Sequence, residues 1–520
     1  VNVAKQLPYY TNQAGDIEIP YPSGVTTFNY DVQDLTFDST SSTATATLST
    51  YITANMQGTS DKSISETTKP LYAPTSATYL AIYAYDSKTE QAVTYKMYLG
   101  ADMKSDYNIV ANKHYTYTFT FNSVGEIGSD SRIEAMTTEV DYRDREDSNC
   151  YIINPSMVGS RTYYLPVQNR IYDFWADYGS DASKSIANST DWTVEVLWYD
   201  CDSDPIATDI ANLSSSKLCI QPINSDSNEL DDKQQSVKVT LGEKFDNYGN
   251  VVFAVKSKDG EILWSWHLWI TDYNPDSRDW TPTAGQYTYA TSGGEIHRYK
   301  DSSTSTTKYW DVGGIYENSF IMDRNLGARD ASYPSSYGAG VIYYQFGRKD
   351  PFPGNASSIN VTTTETSSGE SFATAVQNPT IYYCYTNSLY DWCSEVASDS
   401  TTCLWNDENA SSTTDKSIFD PSPLGWKLPI TGTWSDFSTS TFTYDVFDGL
   451  TYNGYAYYPA SGIRGSASGT LSYAGTYGYY WSASPYSGTQ GHTLYLSSSN
   501  VNATNTSYRA AGFPVRPVRE

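Results

Sequence analysis

Short segments in which apolar or aromatic residues alternate with polar residues recur along this chain of 520 residues. A period of two places successive side chains on opposite faces of a β-strand, and β-branched and aromatic residues favour strands. Amphipathic helical periodicity is scarce throughout, so the pattern predicts a mainly all-β protein. The predicted strands are residues 77–85, 92–99, 115–121, 192–198 and 237–241, together with the more continuously apolar runs at 251–255 and 262–270.

The composition favours an exported protein with polar but uncharged surfaces. Tyrosine, which suits half-wet strand faces, accounts for 48 residues. Charged residues make up 18%, against about 25% in an average soluble domain. The net charge of −26 repels nucleic-acid phosphates and anionic lipid headgroups, so we expect neither as a partner.

The sequence contains no run of 18 or more apolar residues, which predicts no membrane-spanning helix. The chain begins at Val1, inside what reads as folded sequence. We therefore expect an export signal upstream of it, and an extracellular location on the cell surface after export through the outer membrane.

Six cysteines, at positions 150, 201, 219, 384, 393 and 403, include no Cys-x-x-Cys pair, which weakens a zinc or thioredoxin-like interpretation. Cys384, Cys393 and Cys403 lie close together in sequence. A disulfide among them in an oxidising compartment is one interpretation. Free or half-buried thiols are the other.

Three blocks of different character predict three domains. Residues 1–145 and 146–275 are rich in alternating segments, whereas residues 276–520 have longer loops, many glycines and only short strand-like pieces. A polar link containing Pro275 separates the second block from the third. The prediction is a β-sandwich, a second small β-sandwich, and a loop-rich third domain able to fold alone.

Motifs in the first block resemble Bacteroidetes fimbrillin-like pilins. They are residues 51–58 (YITANMQG), 97–102 (MYLGAD) and 105–115 (SDYNIVANKHY). The resemblance implies a transthyretin-like β-sandwich, here incomplete at its N-terminus, that is exported as a lipoprotein precursor. It also implies assembly with other pilin subunits by donor-strand exchange.

The second block resembles a β-module that serves as a spacer in large Bacteroides surface proteins. Its marks are residues 149–153, 249–252 and 262–272. The third block resembles the FISUMP-type domain, which is related to C-type-lectin-like α+β folds. It carries the motifs at residues 320–328, 343–353, 425–429, 480–484 and 512–519. Pilin-like, spacer and lectin-like domains in this order imply an adhesin at the tip of a fimbria, binding a host or bacterial surface glycan or protein.

Side chains in the third block fall into two predicted sets. Charged and aromatic residues of the FISUMP-type motifs are interpreted as scaffold that pins long loops. These are Asp323, Arg324, Asn325, Arg348, Asp350, Trp426, Trp481 and Arg516. Rings and amides around that scaffold are candidates for stacking on a ligand and hydrogen bonding to it. These are Trp405, Asn453, Tyr473, Tyr477, Tyr479, Tyr486, Gln490 and His492. The alternative is that these rings only fill gaps beneath loops.

Motifs for catalysis are scarce. The chain has four histidines and contains no HExxH, GxSxG or P-loop motif. We predict binding without turnover, with no metal and no cofactor. The alternatives are a non-adhesive structural subunit of a pilus or cell surface, and an enzyme acting on surface glycans.

Overall fold

Strands dominate the computed structural model of the chain, with 42% of residues in strands and 8% in helices. The predicted all-β class is therefore confirmed. The structure describes residues 2–4, 10–11, 17–18, 25–27, 54–59, 69, 73–74, 77–86, 91–102, 104–117, 133–143, 147–156, 160–179, 181, 183–186, 191–223, 235–273, 275, 298–300, 307–309, 321–322, 324–329, 341–354, 358–385, 390–395, 404–405, 416–434, 437–440, 442–445, 449–452 and 456–520.

The strands up to residue 270 are β1 (Asn2–Ala4), β2 (Tyr10–Thr11), β3 (Ile17–Glu18), β4 (Val25–Thr27), β5 (Tyr79–Asp86), β6 (Gln91–Tyr98), β7 (Ile133–Asp141), β8 (Cys150–Ile153), β9 (Ser160–Pro166), β10 (Thr193–Tyr199), β11 (Leu218–Ile223), β12 (Ser236–Leu241), β13 (Gly249–Lys256) and β14 (Ile262–Ile270). The later strands are β15 (Arg298–Lys300), β16 (Thr307–Tyr309), β17 (Ile342–Gln345), β18 (Phe352–Pro353), β19 (Thr362–Thr366), β20 (Ile381–Tyr385), β21 (Trp426–Lys427), β22 (Phe442–Asp445), β23 (Gly449–Tyr452), β24 (Ala456–Pro459), β25 (Ile463–Arg464), β26 (Leu471–Ser472), β27 (Tyr477–Ser487), β28 (Gln490–Ser497), β29 (Val501–Tyr508), β30 (Gly512–Phe513) and β31 (Val518–Arg519). The described helices are α1 (Gln168–Asp177), α2 (Phe372–Gln377) and two single 3-10 turns, Ile210–Asn212 and Thr431–Trp434.

The chain divides into two compact units. Unit 1 contains Val1–Tyr142, Met157–Tyr164 and Thr240–Glu243. Unit 2 contains Arg143–Ser156, Leu165–Val239 and Lys244–Glu520.

Unit 1 contains a sheet in which the described strands follow the order β9-β7-β6-β5-β1-β4. β5 and β6 form an antiparallel pair from Tyr79↔Tyr98 to Asp86↔Gln91, and β7 runs antiparallel to β6. The predicted strands at residues 77–85 and 92–99 are thus confirmed as β5 and β6. The strand predicted at 115–121 does not extend over residues 115–117, which form no ladder, and residues 118–121 lie outside the described part.

The central sheet of unit 2 has the strand order β10-β13-β14-β8. β14 pairs antiparallel with β13 after a hairpin turn in which Gly260 has a φ of 84°, a left-handed conformation that glycine adopts at little cost. Its other edge pairs in parallel with β8. Every residue of β13 except Lys256, and every residue of β14 except Ile262, is buried. Both faces of the sheet are therefore covered.

Helix α1 covers part of this sheet and was not predicted from the sequence. Its buried side chains, Ile171, Phe174 and Trp175, recur at helical spacing along one face. The indole Nε1 of Trp175 donates a hydrogen bond to the carbonyl of Leu263 at 2.9 Å, and Phe174 lies 5.1 Å from Trp264 between ring centroids. The apolar face is only three residues wide, which is too little to stand out in a sequence pattern.

The C-terminal part of unit 2 has its own apolar cluster beneath β27 and β28. Tyr480 of β27 and Leu494 and Leu496 of β28 are fully buried in it. The cluster also contains Ile321, Trp434, Phe437, Phe442, Leu450, Tyr458 and Val518. One face of the β27–β28 hairpin is therefore committed to the core, while along β27 only Tyr477, Tyr479, Tyr486 and Ser487 are not buried.

The predicted domain boundary at residues 275/276 falls inside unit 2. Buried hydrogen bonds connect its two sides. The hydroxyl of Ser265 donates to the Asp350 carboxylate at 2.6 Å, and the Asn149 amide donates to the carbonyl of Asp420 at 2.8 Å. The polar link at Pro275 marks a loop within one unit, because contacts distant in sequence override it.

Five cysteines, Cys150, Cys201, Cys219, Cys384 and Cys393, are free thiols. The interpretation as free thiols therefore holds for Cys384 and Cys393, whereas Cys403 lies outside the described residues. Among the described helices, none has the length and apolar character needed to cross a membrane.

His267 of β14 is buried, with its Nε2 2.7 Å from the side-chain oxygen of Asn250 and its Nδ1 without a hydrogen-bond partner in the described structure. Burial lowers the pKa of His267 from 6.5 to about 3. Between pH 6.5 and 3 the unfolded chain therefore binds a proton here that the folded chain does not. The free energy of unfolding consequently falls as the pH is lowered through this range.

We expect His267→Gln, which keeps a side chain able to bond to Asn250, to remove this contribution. Between pH 6 and 4 the free energy of unfolding of the native protein should fall relative to that of the variant by about 1.4 kcal/mol per pH unit. Urea unfolding at several pH values measures the two slopes. Parallel curves for the two proteins would show that His267 takes up its proton normally when folded.

A second prediction concerns the extent of unit 2. A fragment of residues 143–520 should unfold cooperatively, whereas residues 277–520 alone should not, because they lose the buried partners on β8 and β14. Near-ultraviolet circular dichroism during thermal unfolding distinguishes the two, with the full chain as reference. A cooperative transition of the shorter fragment at the same temperature as the longer one would contradict this.

Candidate functional site

Four tyrosines form a connected line of rings on the outer face of the β27–β28 hairpin, and we call them the tyrosine row: Tyr473, Tyr477, Tyr479 and Tyr495. Ring centroids lie 5.3 Å apart for Tyr473 and Tyr477, and 5.7 Å apart for Tyr477 and Tyr495. Tyr479 and Tyr495 are opposite each other across the two strands, with centroids 5.0 Å apart. Cross-strand aromatic pairs of this kind stabilise a sheet and fix the positions of the rings.

The row rests on buried aromatic residues. Tyr479 stacks on Phe513 with centroids 4.9 Å apart and ring planes 13° apart, and Phe513 contacts Trp481 at 4.5 Å. Phe513 and Trp481 are both buried, and the indole of Trp481 donates to the carbonyl of Tyr344 at 2.8 Å. The inner end of the row is therefore held rigidly by the core.

The outer end of the row is open to solvent. The side chain of Tyr473 is 57% exposed, and Tyr477, Tyr479 and Tyr495 are half-buried. Within the described part of the chain, none of the four hydroxyl groups has a hydrogen-bond partner. Burial, and then the phenol groups of Tyr495, Tyr477 and Tyr473, raise the pKa of Tyr479 to about 12. Its hydroxyl is consequently protonated at neutral pH and can both donate and accept a hydrogen bond.

Tyr473 adopts a left-handed backbone conformation, with a φ of 62°. A bulky residue there costs about 1–3 kcal/mol and persists only where its surroundings enforce it. The carbonyl of Tyr473 accepts hydrogen bonds from the amides of Thr476 and Tyr477 at 3.0 and 3.1 Å. Gly462 lies against this turn so closely that a Cβ would come within 2.2 Å of the Ser472 carbonyl oxygen. The fold thus holds this ring outward against a local preference.

Charge is absent from the segment that carries the row. No Asp, Glu, Lys or Arg occurs in residues 465–508. The flanking Arg464 and Arg509 are both buried. Arg464 donates to the carbonyls of Gly469 and Pro353, and Arg509 donates to that of Ser487. These arginines are therefore committed to the interior and do not charge the surface of the row.

The predicted binding residues Tyr486, Gln490 and His492 form a separate patch. Tyr486 is 56% exposed and meets His492 edge-to-face at 5.2 Å, close to the turn between β27 and β28. Burial lowers the pKa of His492, which favours the neutral imidazole. Tyr486 lies seven positions beyond Tyr479 along β27, roughly 20 Å at the rise of a strand. The structure therefore divides the predicted set into two surfaces.

The predicted ligand-binding role of Trp405 is wrong, because its ring is fully buried. The indole Nε1 donates to the carbonyl of Arg348 at 3.2 Å, and the ring lies 5.0 Å from Phe346. Trp405 therefore fills part of the core. Asn453, also predicted to bind ligand, lies outside the described residues.

The described residues of the predicted scaffold set are all buried: Arg324, Asn325, Arg348, Asp350, Trp426, Trp481 and Arg516. Arg516 bonds to the side-chain oxygen of Asn325 at 3.0 Å and its guanidinium lies 3.8 Å from the centroid of Tyr458. Arg348 donates to the carbonyls of Ile381 and Asn378 at 2.7 and 2.8 Å. These contacts pin loops, and Asp323 lies outside the described residues.

Tyr495 is the member of the row that the sequence did not single out. The signal that could have identified Tyr495 is its place in β28, the strand that follows β27 after a short turn. Among the described residues, no group of three or more His, Cys, Asp or Glu side chains is placed to hold a metal ion.

Comparison with known proteins gives one match. Residues 50–119 match a family described as a domain of unknown function (DUF4906), which is found in Bacteroidetes fimbrillin-like proteins. The matched segment lies in the first predicted block and contains β5 and β6. No curated protein and no solved structure matches the chain. The named folds of the three predicted domains accordingly stay predictions.

Measurements of the free energy of unfolding can distinguish the buried ring of Trp405 from the exposed ring of Tyr473. Trp405→Ala should lower the free energy of unfolding by roughly 3–5 kcal/mol, because a buried ring leaves a cavity. Tyr473→Ala should change it by less than about 1 kcal/mol, because little of its ring is removed from water. Urea unfolding of both variants provides the measurement. Equal and small effects would contradict the burial of Trp405.

Proposed function

We propose that this chain is a cell-surface adhesin that holds its ligand against the tyrosine row. The observation that carries the proposal is four half-exposed phenol groups, without hydrogen-bond partners in the described structure, held in line on a rigid base. Tyrosine offers a large contact area and a polar group while losing little side-chain entropy on binding. The strained backbone of Tyr473 supports the same conclusion, since strain of this kind concentrates at functional sites.

The chemistry of the row favours binding over turnover. The segment that carries it has no carboxylate, lysine or arginine, and its one imidazole, on His492, lies in the separate patch. The raised pKa of Tyr479, about 12, keeps its hydroxyl protonated at neutral pH. A general acid–base mechanism needs groups that exchange protons near the working pH, and the row itself supplies none.

The match at residues 50–119 supports a fimbrial setting for this proposal. Since that family occurs in fimbrillin-like proteins, we place the chain on an extracellular fimbria, exported through the outer membrane as a lipoprotein precursor. Assembly with other pilin subunits would proceed by donor-strand exchange. With the ligand-binding row in unit 2, the position that suits the chain best is the pilus tip.

Adhesion measurements with single-residue variants test the proposal. The full chain would be screened on surfaces that present extracellular proteins and glycans, and on intact bacterial and epithelial cells. Tyr477→Ala and Tyr495→Ala should each weaken binding by roughly 1–3 kcal/mol if these rings are central contacts. Circular dichroism of each variant confirms that the fold is retained.

Tyr172→Ala is the matched control. Tyr172 lies on α1 and is 52% exposed, close to the value for Tyr473, but it belongs to no ring cluster of the row. It should bind as the native chain does. Equal binding by the row variants and this control would refute the row as the site. Absence of binding by the native chain would favour a non-adhesive structural subunit.

A further inference from the structure

We infer that the ligand of the tyrosine row is a neutral carbohydrate, held by stacking on the rings and by hydrogen bonds to their hydroxyl groups. This inference rests on the proposed binding function of the row and names the chemical class of its ligand. Three features of the surface carry it: its lack of charge, the geometry of its rings and the state of its hydroxyl groups.

The lack of charge excludes ligands that are held by ion pairs. Residues 465–508 contain no charged side chain, and the buried Arg464 and Arg509 are already bonded to carbonyl groups. An acidic glycan would find no cation on the row, and the net charge of −26 would repel it. A basic peptide would find no carboxylate there. A neutral ligand suffers neither disadvantage.

The rings form a corrugated line rather than a flat sheet. Successive ring planes are inclined by 51°, 44° and 53°, and successive centroids are 5.0 to 5.7 Å apart. This spacing is comparable with the repeat of a pyranose chain. The C–H faces of sugar rings can therefore lie against successive tyrosines, as apolar groups lie against aromatic faces.

The hydroxyl groups distinguish a carbohydrate from a protein partner. Each phenol is both donor and acceptor, which matches a sugar hydroxyl. An apolar protein surface would desolvate these groups without pairing them, at a cost of about 1–3 kcal/mol for each group. Protein interfaces are enriched in arginine as well as in tyrosine, and the surface of the row carries tyrosine without arginine.

The test uses the full chain on an array of neutral oligosaccharides built from glucose, galactose, mannose and N-acetylhexosamines, beside their sialylated and sulfated counterparts. We expect at least one neutral glycan to bind, with affinity reduced about tenfold or more in Tyr477→Ala and Tyr495→Ala. The acidic counterparts should bind more weakly. Binding should change little between 50 and 500 mM salt, since salt screens only charged contacts.

Tyr495→Phe separates the two contributions, because it keeps the ring and removes the hydroxyl. It should lose less affinity than Tyr495→Ala but more than the control Tyr172→Ala, which should lose none. Tyr473→Ala provides a second row variant at an exposed position, where loss of the fold is not expected.

The possible failures are distinguishable. If the chain binds a protein or a cell surface through the row but no neutral glycan, the inference is overturned while the proposed function stands. Preference for acidic glycans, or binding that falls steeply with salt, overturns the inference as well. Glycan binding that is unaffected by every row variant overturns both.

Discussion

A small buried group of charges holds unit 2 together. The ammonium of Lys349 lies 2.5 Å from the Asp350 carboxylate, and both bond to Ser265 in the middle of β14. Burial lowers the pKa of Lys349, while the negative charge of Asp350 opposes that shift. Removing one partner from such a pair costs about 3–5 kcal/mol, because the other charge is left buried and unpaired. The C-terminal part of unit 2 therefore depends on a strand that precedes it by some eighty residues.

This dependence explains why the strands of unit 2 were easier to predict than its limits. The apolar, β-branched and aromatic runs at residues 251–255 and 262–270 are local signals, and Asp259-Gly260 between them forms the expected turn. The pairing of Ser265 with Asp350 involves residues far apart in sequence. A polar link with a proline indicates a loop, but it contains no information about which surfaces meet across that loop.

The local sequence also predicts only part of the candidate site, because the pairing of β27 with β28 determines the rest. Tyr477 and Tyr479 stand out because aromatic residues, glycine and serine crowd the segment around them. Counting from the turn pair Ser487↔Gln490 would place Ser498 opposite Tyr479, whereas the structure places Tyr495 there. Two irregularities in the ladder between Trp481 and Ser487 account for the difference. They occur where Pro485 lacks an amide hydrogen and where Ala483 bonds to Pro429 instead of to β28.

For Trp405 the local sequence suggested an exposed ring, whereas the structure shows a buried one. Its neighbours Asn406 and Asp407 are polar and suggest a surface position. Its ring is nevertheless buried against Phe346, a residue nearly sixty positions earlier. A tryptophan with polar neighbours in sequence can equally be buried in the core. An exposed tryptophan and a buried one can have the same neighbours in sequence. They differ only in whether the ring contacts residues that are distant in sequence.

The left-handed turn at Tyr473 has an evolutionary consequence. Glycine or asparagine would adopt this conformation with less strain, so tyrosine here lowers the stability of the turn. Selection for stability alone would remove the ring. On the proposed binding role of the row, its presence is an exchange of stability for surface chemistry. A chain without that role is then free to carry glycine at this turn.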